Sequence, residues 1–391
     1  MAQSYDIVIV GGGVMGASLA YNLAALDAGR VLLLEGNRLC SGDTLKSCAI
    51  VRTHYSNPTT CRMACIGRDI LSDFDAVVGG QSGFVNSGYV IFAGEDAAGP
   101  FEENIRLQQG AGSGVESIDA AEALALHPKL PRERIAAAAY ERASGYADPQ
   151  STVLSYAGRA RDKGVEIREG VPVRGLVEQG DRVTGVETDE GLISAGLVVL
   201  CAGVWTNTLT RPLGVEYPYA ITNHKVVTMA FGYDYTGDAF PVVRDISGFA
   251  YSRPRGRHML LGDADRGEDV PRPDFTDETL KPDELEGFRR KLAYSNSDAA
   301  AAELVHHWAG RYDVSPDWNP IIGGIDGKDG LMAICGSSGG GFKLAPCIGL
   351  ITAELIVHGQ GRTLPVEEYA PSRFDDGAGG FRNAYGTGAI A

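Results

Sequence analysis

The first 35 residues constrain the fold more than any other part of the sequence, because strand, turn and helix patterns alternate there at close spacing. A β-branched apolar run at Tyr5–Val10 leads straight into the glycine turn Gly11–Gly16. A helical pattern covers Ala17–Ala28, and a second apolar run at Val31–Leu34 ends in Glu35. Apolar runs of this length are typical of buried strands in a parallel sheet. The order predicts the α/β fold of dinucleotide-binding proteins.

Each glycine of this turn has a physical reason to lack a side chain. Gly11 permits the tight turn, Gly13 lets the backbone approach a pyrophosphate, and Gly16 brings the helix against the strand. The amides at the start of the helix then face the phosphates. Glu35 follows the turn by about 20 residues, where a carboxylate accepts hydrogen bonds from both ribose hydroxyls of an adenosine. The turn by itself does not choose between FAD and NAD.

Composition excludes several other classes of function. The 391 residues include 44% hydrophobic and 22% charged residues, an ordinary globular mixture that rules out wholesale disorder. The formal net charge of −15 argues against binding to nucleic acid backbones or to an acidic lipid surface. No uninterrupted apolar run reaches the ~18–20 residues of a transmembrane helix. The 52 glycines exceed average usage and indicate many close backbone approaches.

The seven cysteines indicate neither a metal site nor a disulfide framework. Their number is odd, and no two have the spacing of a zinc or redox motif. Cys61 and Cys65 have the spacing of one helix face, but two thiols without nearby histidines make a poor metal site. Free thiols suit a reducing compartment, and the apolar strand begins at Tyr5 without a secretory segment before it. We therefore expect a cytoplasmic protein.

The remaining patterns predict two lobes that are interleaved along the chain. Strand-like and helical runs near both ends extend the first α/β unit, whereas residues 219–264 are rich in β-formers and tyrosine. We expect a Rossmann-like cofactor lobe with a mostly parallel sheet, and an α+β substrate lobe built on a mainly antiparallel sheet. The expected ranges are 1–85, 140–215 and 300–370 for the first lobe, 86–139 and 216–299 for the second, and 371–391 for a loosely attached tail.

Three motifs in a fixed order resemble one family of flavoproteins. They are the first glycine turn with Glu35, the segment Cys201–Trp205 after an apolar run, and the glycine-rich Gly336–Lys343 before a helical pattern. Together they resemble the amine-oxidising flavoproteins of the D-amino-acid oxidase, glycine oxidase and sarcosine oxidase group. The stretch Trp308–Ile322 is especially similar to the sarcosine oxidase branch, both its β subunits and its monomeric enzymes.

The resemblance implies FAD, and it implies where each part of FAD lies. It places the adenosine and pyrophosphate on the first turn, the adenine against the backbone of Val173, and the cofactor above Ala202 and Gly203. The helix start after the last glycine motif would stabilise the negative charge that grows on the flavin during reduction. The residues expected to bind FAD are Gly11, Gly13, Val14, Met15, Gly16, Glu35, Gly36, Ser41, Gly42, Asp43, Thr44, Val173, Ala202, Gly203, Trp205, Gly336, Ser337, Ser338, Gly339, Gly340, Gly341 and Phe342.

The resemblance also implies four catalytic residues. Arg52 and Lys343 match an arginine and a lysine that hold the substrate carboxylate, and Tyr251 and Tyr312 match aromatic positions of the pocket. A guanidinium fork suits a planar carboxylate, so this pair would select an amino acid over a simple amine. The alternative is a solvated Arg52 on a loop and a Lys343 that pairs with surface acids.

The implied reaction is oxidation of the C–N bond of an amino acid or an N-alkyl, sarcosine-like amino acid. The amine binds deprotonated, hydride passes from its α-carbon or N-methyl group to flavin N5, and the resulting imine hydrolyses. The small-molecule substrate is therefore an amine that bears a carboxylate.

The sequence departs from the monomeric sarcosine oxidases at three positions. Gly310 stands where those enzymes carry the cysteine that links to the flavin, so we expect FAD to be bound without a covalent link of that kind. Leu260 stands where they carry a lysine thought to activate oxygen, so the electron acceptor is either O2 or a protein or quinone. Ala264 lies near the place of a pocket histidine, which leaves substrates other than sarcosine open.

Other interpretations stay open from the sequence. One is an FAD-dependent hydroxy-acid dehydrogenase, or a nicotinamide enzyme built on the same turn. Another is a flavin-bearing, β-like subunit of a hetero-oligomeric amine dehydrogenase or oxidase, which the similarity to β subunits favours. The sequence is compatible with a homo-oligomer as well as a hetero-oligomer.

Overall fold

Two large β-sheets organise the chain, one in each lobe. The computed structural model describes residues 3–231, 240–325, 327–375, 380–381 and 383–385. The helices described are α1 (Val14–Ala25), α2 (Pro58–Ser72), α3 (Phe74–Val77), α4 (Ala98–Gly110), α5 (Ala120–Leu126), α6 (Pro149–Asp162), α7 (Thr206–Thr210), α8 (Pro282–Ala293) and α9 (Gly341–His358). The strands described are β1 (Gln3–Val10), β2 (Val31–Glu35), β3 (Ile50–Val51), β4 (Tyr89–Ala93), β5 (Glu116–Ile118), β6 (Ala137–Glu141), β7 (Gly145–Tyr146), β8 (Glu166–Glu169), β9 (Val173–Gln179), β10 (Arg182–Thr188), β11 (Gly191–Leu200), β12 (Ala220–Ala230), β13 (Val242–Asp245), β14 (Ala250–Arg255), β15 (His258–Asp263), β16 (Glu268–Asp269), β17 (Glu303–Val314), β18 (Ile321–Gly323) and β19 (Leu331–Cys335).

The first sheet has the strand before the glycine turn at its centre. β1 pairs in parallel with β11 and β2, β2 pairs in parallel with β8, and β11 pairs in parallel with β19. The antiparallel strand β18 ends the sheet beyond β19, and β10 and β9 are antiparallel additions to β11. Ile7 and Ile9 face a core that includes residues of α1, α6 and α9, whereas Val8 and Val10 face the other core. Burial on both faces explains the continuous apolar run of β1.

The second sheet is mainly antiparallel and forms the other lobe. Its strand order is β16-β12-β15-β14-β13-β4-β6-β5, and β17 pairs with β12. Among the described strands, β13 and β4 are the parallel pair of this sheet. Phe288 and Leu292 of α8 pack into one core with Met259 and Leu261 of β15. A mostly parallel sheet beside a mainly antiparallel one confirms the predicted fold class.

Most elements lie close to the sequence patterns that predict them. The apolar run Tyr89–Ala93 forms β4, and α6 begins at Pro149 because the side chain of Asp148 caps it by accepting a hydrogen bond from Ser151 N at 2.7 Å. The amphipathic pattern over Thr59–Val78 would suit one helix but forms two, since Asp73 leaves the helical conformation with ψ of 40° between α2 and α3.

The strand pairing corrects one expected lobe boundary. β17 pairs with β12 from Glu303 opposite Ala230 to Val314 opposite Ala220. Residues 303–314, which the sequence analysis places in the cofactor lobe, therefore belong to the sheet of the second lobe. The physical reason is that β15 and β16 cover one edge of β12, and β17 pairs with its other edge.

The end of the chain also differs from the expected loose tail. Tyr385 Oη lies 2.8 Å from His54 Nε2 and accepts a hydrogen bond from Asn104 Nδ2 at 3.2 Å. Much of the expected tail, namely 376–379, 382 and 386–391, lies outside the described residues. The part that is described contacts the same segment of chain that carries Arg52.

α9 is the longest described helix and is apolar. By length and composition alone it could cross a membrane, and 67% of its 18 residues are buried within the fold. It packs against α1 and α2. The contact with α1 is close at Gly349, which lies against Ser18.

Replacing Gly349 by alanine is expected to destabilise the fold. The new Cβ would collide with Ser18 Oγ and lie 2.8 Å from Ser18 Cβ, and overpacking of this kind costs about 1–3 kcal/mol. Gly158→Ala in α6 is the matched control, since no described atom lies within 4 Å of that Cβ and alanine favours a helix by about 1 kcal/mol. Urea unfolding measures both free energies, and equal midpoints for the two variants would contradict the packing described here.

Candidate active site

A long cavity of about 480 Å³ begins at the carboxyl ends of β1, β2 and β11. Ligands of open α/β sheets bind at this end of the strands. The expected cofactor residues that line it are Gly11, Gly13, Glu35, Gly36, Ser41, Gly42, Asp43, Thr44, Val173, Ala202, Gly203 and Trp205. The structure thus brings two of the three sequence motifs to one cavity.

The first turn keeps its shape through close backbone contacts. Side chains at its glycines would prevent these contacts. Gly11 has φ of +115°, and a Cβ there would collide with the carbonyl oxygen of Cys201. Gly16 brings α1 onto the turn, since its Cβ would collide with the Gly11 carbonyl oxygen. The Glu35 carboxylate accepts hydrogen bonds from Gly12 N at 2.7 Å and Asn37 N at 2.8 Å. These two bonds fix the carboxylate at the cavity wall.

A second cavity of about 150 Å³ continues from the first, with which it shares Gly13, Asp43, Thr44 and Gly203. The other expected cofactor residues in its wall are Val14, Met15, Ser337, Gly339, Gly341 and Phe342. The third sequence motif therefore joins the first two here.

Arg311, which the sequence analysis did not single out, also lines this second cavity. Its guanidinium pairs with Asp43 at 3.1 Å and lies over Trp205, 4.4 Å from the ring centroid. Asp43 therefore positions this cation in the wall.

α1 and α9 both direct their N-termini into these cavities. Their N-cap residues are Gly13 and Gly340, neither helix has a side-chain cap, and neither first turn holds an acidic residue. Val14 N donates to Thr44 Oγ1 at 3.3 Å. The start of a helix carries partial positive charge and N–H groups without intrahelical partners. The two helix N-termini therefore suit a ligand that places a pyrophosphate at the start of α1 and an electron-accepting ring at the start of α9.

The loop before α9 is tied to the end of β17 by Asp313, another residue that the sequence analysis did not single out. Its carboxylate accepts hydrogen bonds from Gly336 N at 2.8 Å and Ser337 N at 3.1 Å, and its carbonyl accepts one from Ser338 N at 2.9 Å. Burial raises the pKa of Asp313 to about 7. Asp313 belongs to the stretch Trp308–Ile322 that carries the resemblance, which is the signal that pointed to it.

Four of the expected cofactor residues shape the backbone and are not among the described residues that line these two cavities. They are Gly16, Gly336, Ser338 and Gly340. Ser338 has φ of +49° and its hydroxyl donates to the Gly336 carbonyl at 3.0 Å, so it stabilises the turn from inside.

A third cavity of about 60 Å³ lies between the lobes and shares Tyr312, Gly339 and Phe342 with the second. Arg52, which follows β3, and Lys343, in the first turn of α9, both line it. Their exposed fractions are only 7% and 6%, unlike the solvated arrangement considered above.

Arg52 and Lys343 both lie near the ring of the buried Tyr55. The Arg52 guanidinium is 4.7 Å and Lys343 Nζ is 5.9 Å from the ring centroid of Tyr55. Arg52 donates to the carbonyl of His54, and Lys343 Nζ donates to the carbonyl of Gly340 at 3.5 Å. Burial in the first place, and the charge of Arg52 in the second, hold the pKa of Lys343 well below its usual value. Two like charges this deeply buried favour an anion beside them.

Tyr251 and Tyr312 supply aromatic walls to the same cavity. Tyr251 Oη lies 3.2 Å from Cys48 Sγ, and its ring crosses Gly262, where a side chain would collide with it. Tyr312 stacks on His224 with ring centroids 3.7 Å apart. Burial raises the pKa of both tyrosines, so both phenols stay protonated at neutral pH.

Sequence reasoning missed a third cation of this cavity. Arg244 of β13 lines it, is 4% exposed, and lies opposite Tyr251 in the pairing of β13 with β14. Tyr89, at the start of β4, is a further wall residue that was missed. A charged pair, Arg244 and Asp245, within the strand pattern that begins at Val242 was the available signal for Arg244.

The described residues fit FAD. Gly42 and Gly203 line the first cavity, yet a Cβ at either would meet no described atom within 4 Å, so the space in front of them suits a ligand. Glu35 suits the ribose, the start of α1 suits the pyrophosphate, and the start of α9 suits the ring. FAD, when bound, supplies a two-electron acceptor.

The structure also locates two of the three positions at which the sequence departs from the sarcosine oxidases. Gly310 lines the second cavity, and Leu260 is buried against Cys48 and Val226. All seven cysteines are free and buried. No group of three or more potential metal ligands occurs within the described ranges.

Comparisons with known proteins agree with this geometry. Residues 6–355 match the model of the DAO family, described as FAD dependent oxidoreductase. The chain is 28% identical over 363 residues, 90% of its length, to 4-methylaminobutanoate oxidase (formaldehyde-forming) of Paenarthrobacter nicotinovorans. It is 26% identical to glycine oxidase of Pseudomonas putida, over 94% of this chain and 98% of that protein. The crystal structure of L-proline dehydrogenase from P. horikoshii has a TM-score of 0.88 at 26% identity, with 96% of this chain and 99% of that chain covered.

The chain spans about two fifths of the length of several curated relatives, 43% in the case of the methylaminobutanoate oxidase. The family match nevertheless covers most of the chain, including the glycine turn, Arg52 and the start of α9. The chain belongs to the DAO family of FAD-dependent oxidoreductases.

Proposed function

We propose that the chain oxidises the C–N bond of an amino acid or an N-alkyl amino acid. The observation that carries this proposal is the buried pair Arg52 and Lys343 in a cavity that adjoins the expected flavin site. The names of the relatives support it, because methylaminobutanoate, glycine and proline are all amines that bear a carboxylate. A hydroxy-acid substrate has no comparable support.

The chain's own residues would bind and orient the substrate. Arg52 and Lys343 hold the carboxylate, while Tyr251, Tyr312 and Phe342 form a wall that excludes water. The buried carboxylate is then fixed by charge-assisted hydrogen bonds, which leave the carbon and nitrogen of the amine facing the second cavity.

The cavity also favours the neutral form of the substrate amine. None of the described residues that line it is a carboxylate or a histidine, and three of them are cations. Nearby positive charge disfavours an ammonium group, so the substrate binds with its amine deprotonated. No residue of the chain then needs to act as a base during the transfer.

The proposal extends to the electron acceptor and to the location of the protein. Leu260 offers no charge to a reduced oxygen species, which favours an acceptor other than O2. Seven buried free thiols favour a reducing compartment such as the cytoplasm.

Gly203→Ala is expected to weaken FAD binding. Gly203 has φ of +52°, where alanine is strained by about 1–2 kcal/mol, and the new Cβ would enter the space assigned to the cofactor. Gly180→Ala is the matched control: its φ is +62° and its Cβ is equally free of described neighbours, but it lies in the turn between β9 and β10. Titration of apoprotein with FAD measures both affinities, and equal losses for the two variants would argue against the assignment of Gly203.

Arg52→Met and Lys343→Met are expected to lower kcat/KM for amino acids, each by about 10- to 100-fold, because a charge-assisted hydrogen bond contributes about 1.5–3 kcal/mol. Arg159→Met on the exposed face of α6 is the control. Anaerobic bleaching of the bound flavin by sarcosine, proline and glycine, with pyrrolidine as the amine without a carboxylate, is the measurement. If no amino acid, whether monocarboxylic or dicarboxylic, bleaches the flavin, the proposed function is wrong. Reoxidation with O2 or a quinone then identifies the acceptor.

Binding of a carboxylic acid without an amine, such as cyclopentanecarboxylate, is expected to weaken as the pH rises toward the alkaline range. The lowered pKa of Lys343 means that its ammonium loses a proton below the usual pH of lysine, and the neutral amine no longer attracts an anion. The raised pKa of Cys48 and of Tyr251 keeps these groups neutral in that window. Lys343→Arg should remove the alkaline loss, since a guanidinium stays charged. Changes in flavin absorbance report the binding, and a pH-independent wild type would contradict this account.

A further inference from the structure

We infer that the substrate carries a second carboxylate, and that Arg244 binds it. This inference rests on the proposed function and narrows its substrate class to a short dicarboxylic amino acid, with a primary or N-alkyl amine. Arg52 and Lys343 belong to the cofactor lobe, whereas Arg244 projects from the sheet of the other lobe into the same cavity. The two carboxylates would then be held from opposite sides, with the amine between them.

Arg244 has no partner of its own within the described chain. Both of its Nη atoms are buried without a hydrogen-bond partner. The adjacent Asp245 does not serve it, because that carboxylate pairs with Arg134 at 3.0 Å and accepts a hydrogen bond from Gly248 N at 2.9 Å. A buried guanidinium without a counter-charge is strongly unfavourable. An anion that enters with the substrate removes this penalty.

Another acid near the cavity, Glu141, acts electrostatically on Lys343. Glu141 Oε2 accepts hydrogen bonds from Thr53 N at 2.8 Å and from Ser144 Oγ at 2.5 Å, and Glu141 does not line the cavity. A monocarboxylate on Arg52 and Lys343 would leave the charge of Arg244 uncompensated. Because the charge of Glu141 also acts on Lys343, one substrate carboxylate can match Arg52 and Lys343, but Arg244 is left without an anion of its own.

The size of the cavity limits the distance between the two carboxylates. Its volume of about 60 Å³ has room for about four to six water molecules, since each needs about 10–15 Å³. This small volume favours a short dicarboxylic acid such as iminodiacetate or aspartate, with its amine toward the adjoining second cavity, over a long dicarboxylic acid. Arg244 also lies beside Tyr251, so the second carboxylate would contact the aromatic wall as well.

Matched substrate pairs test the inference on the flavin-loaded protein. The pairs are iminodiacetate with sarcosine, and N-methylaspartate with N-methylalanine, both enantiomers being used for the second pair. We expect kcat/KM for flavin reduction to be about 10- to 100-fold higher for the dicarboxylic member of each pair. Equal or lower values for the dicarboxylic members, with reduction by the monocarboxylic ones, overturn this inference and leave the proposed function standing. Reduction by none of them overturns both.

Variants of Arg244 provide a second test of the inference. Arg244→Met should reduce the preference for the dicarboxylic member by about 10- to 100-fold, and Arg244→Lys should retain part of it. The ratio of flavin to protein shows whether each variant is folded. Calorimetry of succinate and propionate binding gives a readout without turnover, in which wild type should favour succinate and Arg244→Met should not. An unchanged preference in the methionine variant would overturn the role of Arg244, and if that variant does not fold, the wild-type binding preference decides.

Discussion

Two helix N-termini without side-chain caps face one continuous space, and much of the molecule is arranged so that both can reach it. α1 arrives there because Gly11 passes directly under the Cys201 carbonyl, and α9 arrives because Asp313 holds the loop of glycines before it. The first-turn amides of both helices need acceptors, which a dinucleotide supplies. Cofactor binding and folding stability are therefore linked, since a ligand that binds only the folded chain stabilises it.

The charge of the small cavity is opposite to that of the whole chain. The sequence has a formal net charge of −15, yet the cavity between the lobes is lined by three buried cations. Two nearby acids pair with other arginines, Asp43 with Arg311 and Asp245 with Arg134. Glu141 accepts hydrogen bonds from uncharged groups and keeps its charge, so one carboxylate stands against three cations. The field inside the cavity thus stays positive. Burial and this positive field together lower the pKa of Lys343, and the field favours a carboxylate as the ligand of the cavity.

The sequence was sufficient wherever the information is local. The strand, turn and helix of the first 35 residues follow from periodicity and glycine spacing, and the burial of β1 on both faces makes its pattern unambiguous. The parallel and antiparallel character of the two sheets also followed from the pattern. Cofactor and family followed from motif order, which the family match confirms.

What the sequence could not supply depends on register and on contacts between distant segments. Arg244 enters the cavity only because β13 pairs with β14 in a register that sets it beside Tyr251. β17 joins the second sheet because of its pairing with β12, which no local pattern encodes. The hydrogen bonds from Gly336 and Ser337 to Asp313 likewise join residues more than twenty positions apart. A binding or catalytic residue on a central strand occupies the same kind of sequence pattern as a core residue. Only its neighbours in the fold distinguish the two.

β17 also has a mechanical consequence. It begins in the sheet of one lobe, pairs with β12 throughout, and ends at the aspartate that anchors the loop beneath the ring site. Within the described chain, the hydrogen bonds of this aspartate join the sheet of the second lobe to the loop before α9, so a movement of one lobe against the other would strain them. We therefore expect small molecules to enter and leave through rearrangement of side chains and loops at the mouth of the cavity, without a large closure of the two lobes.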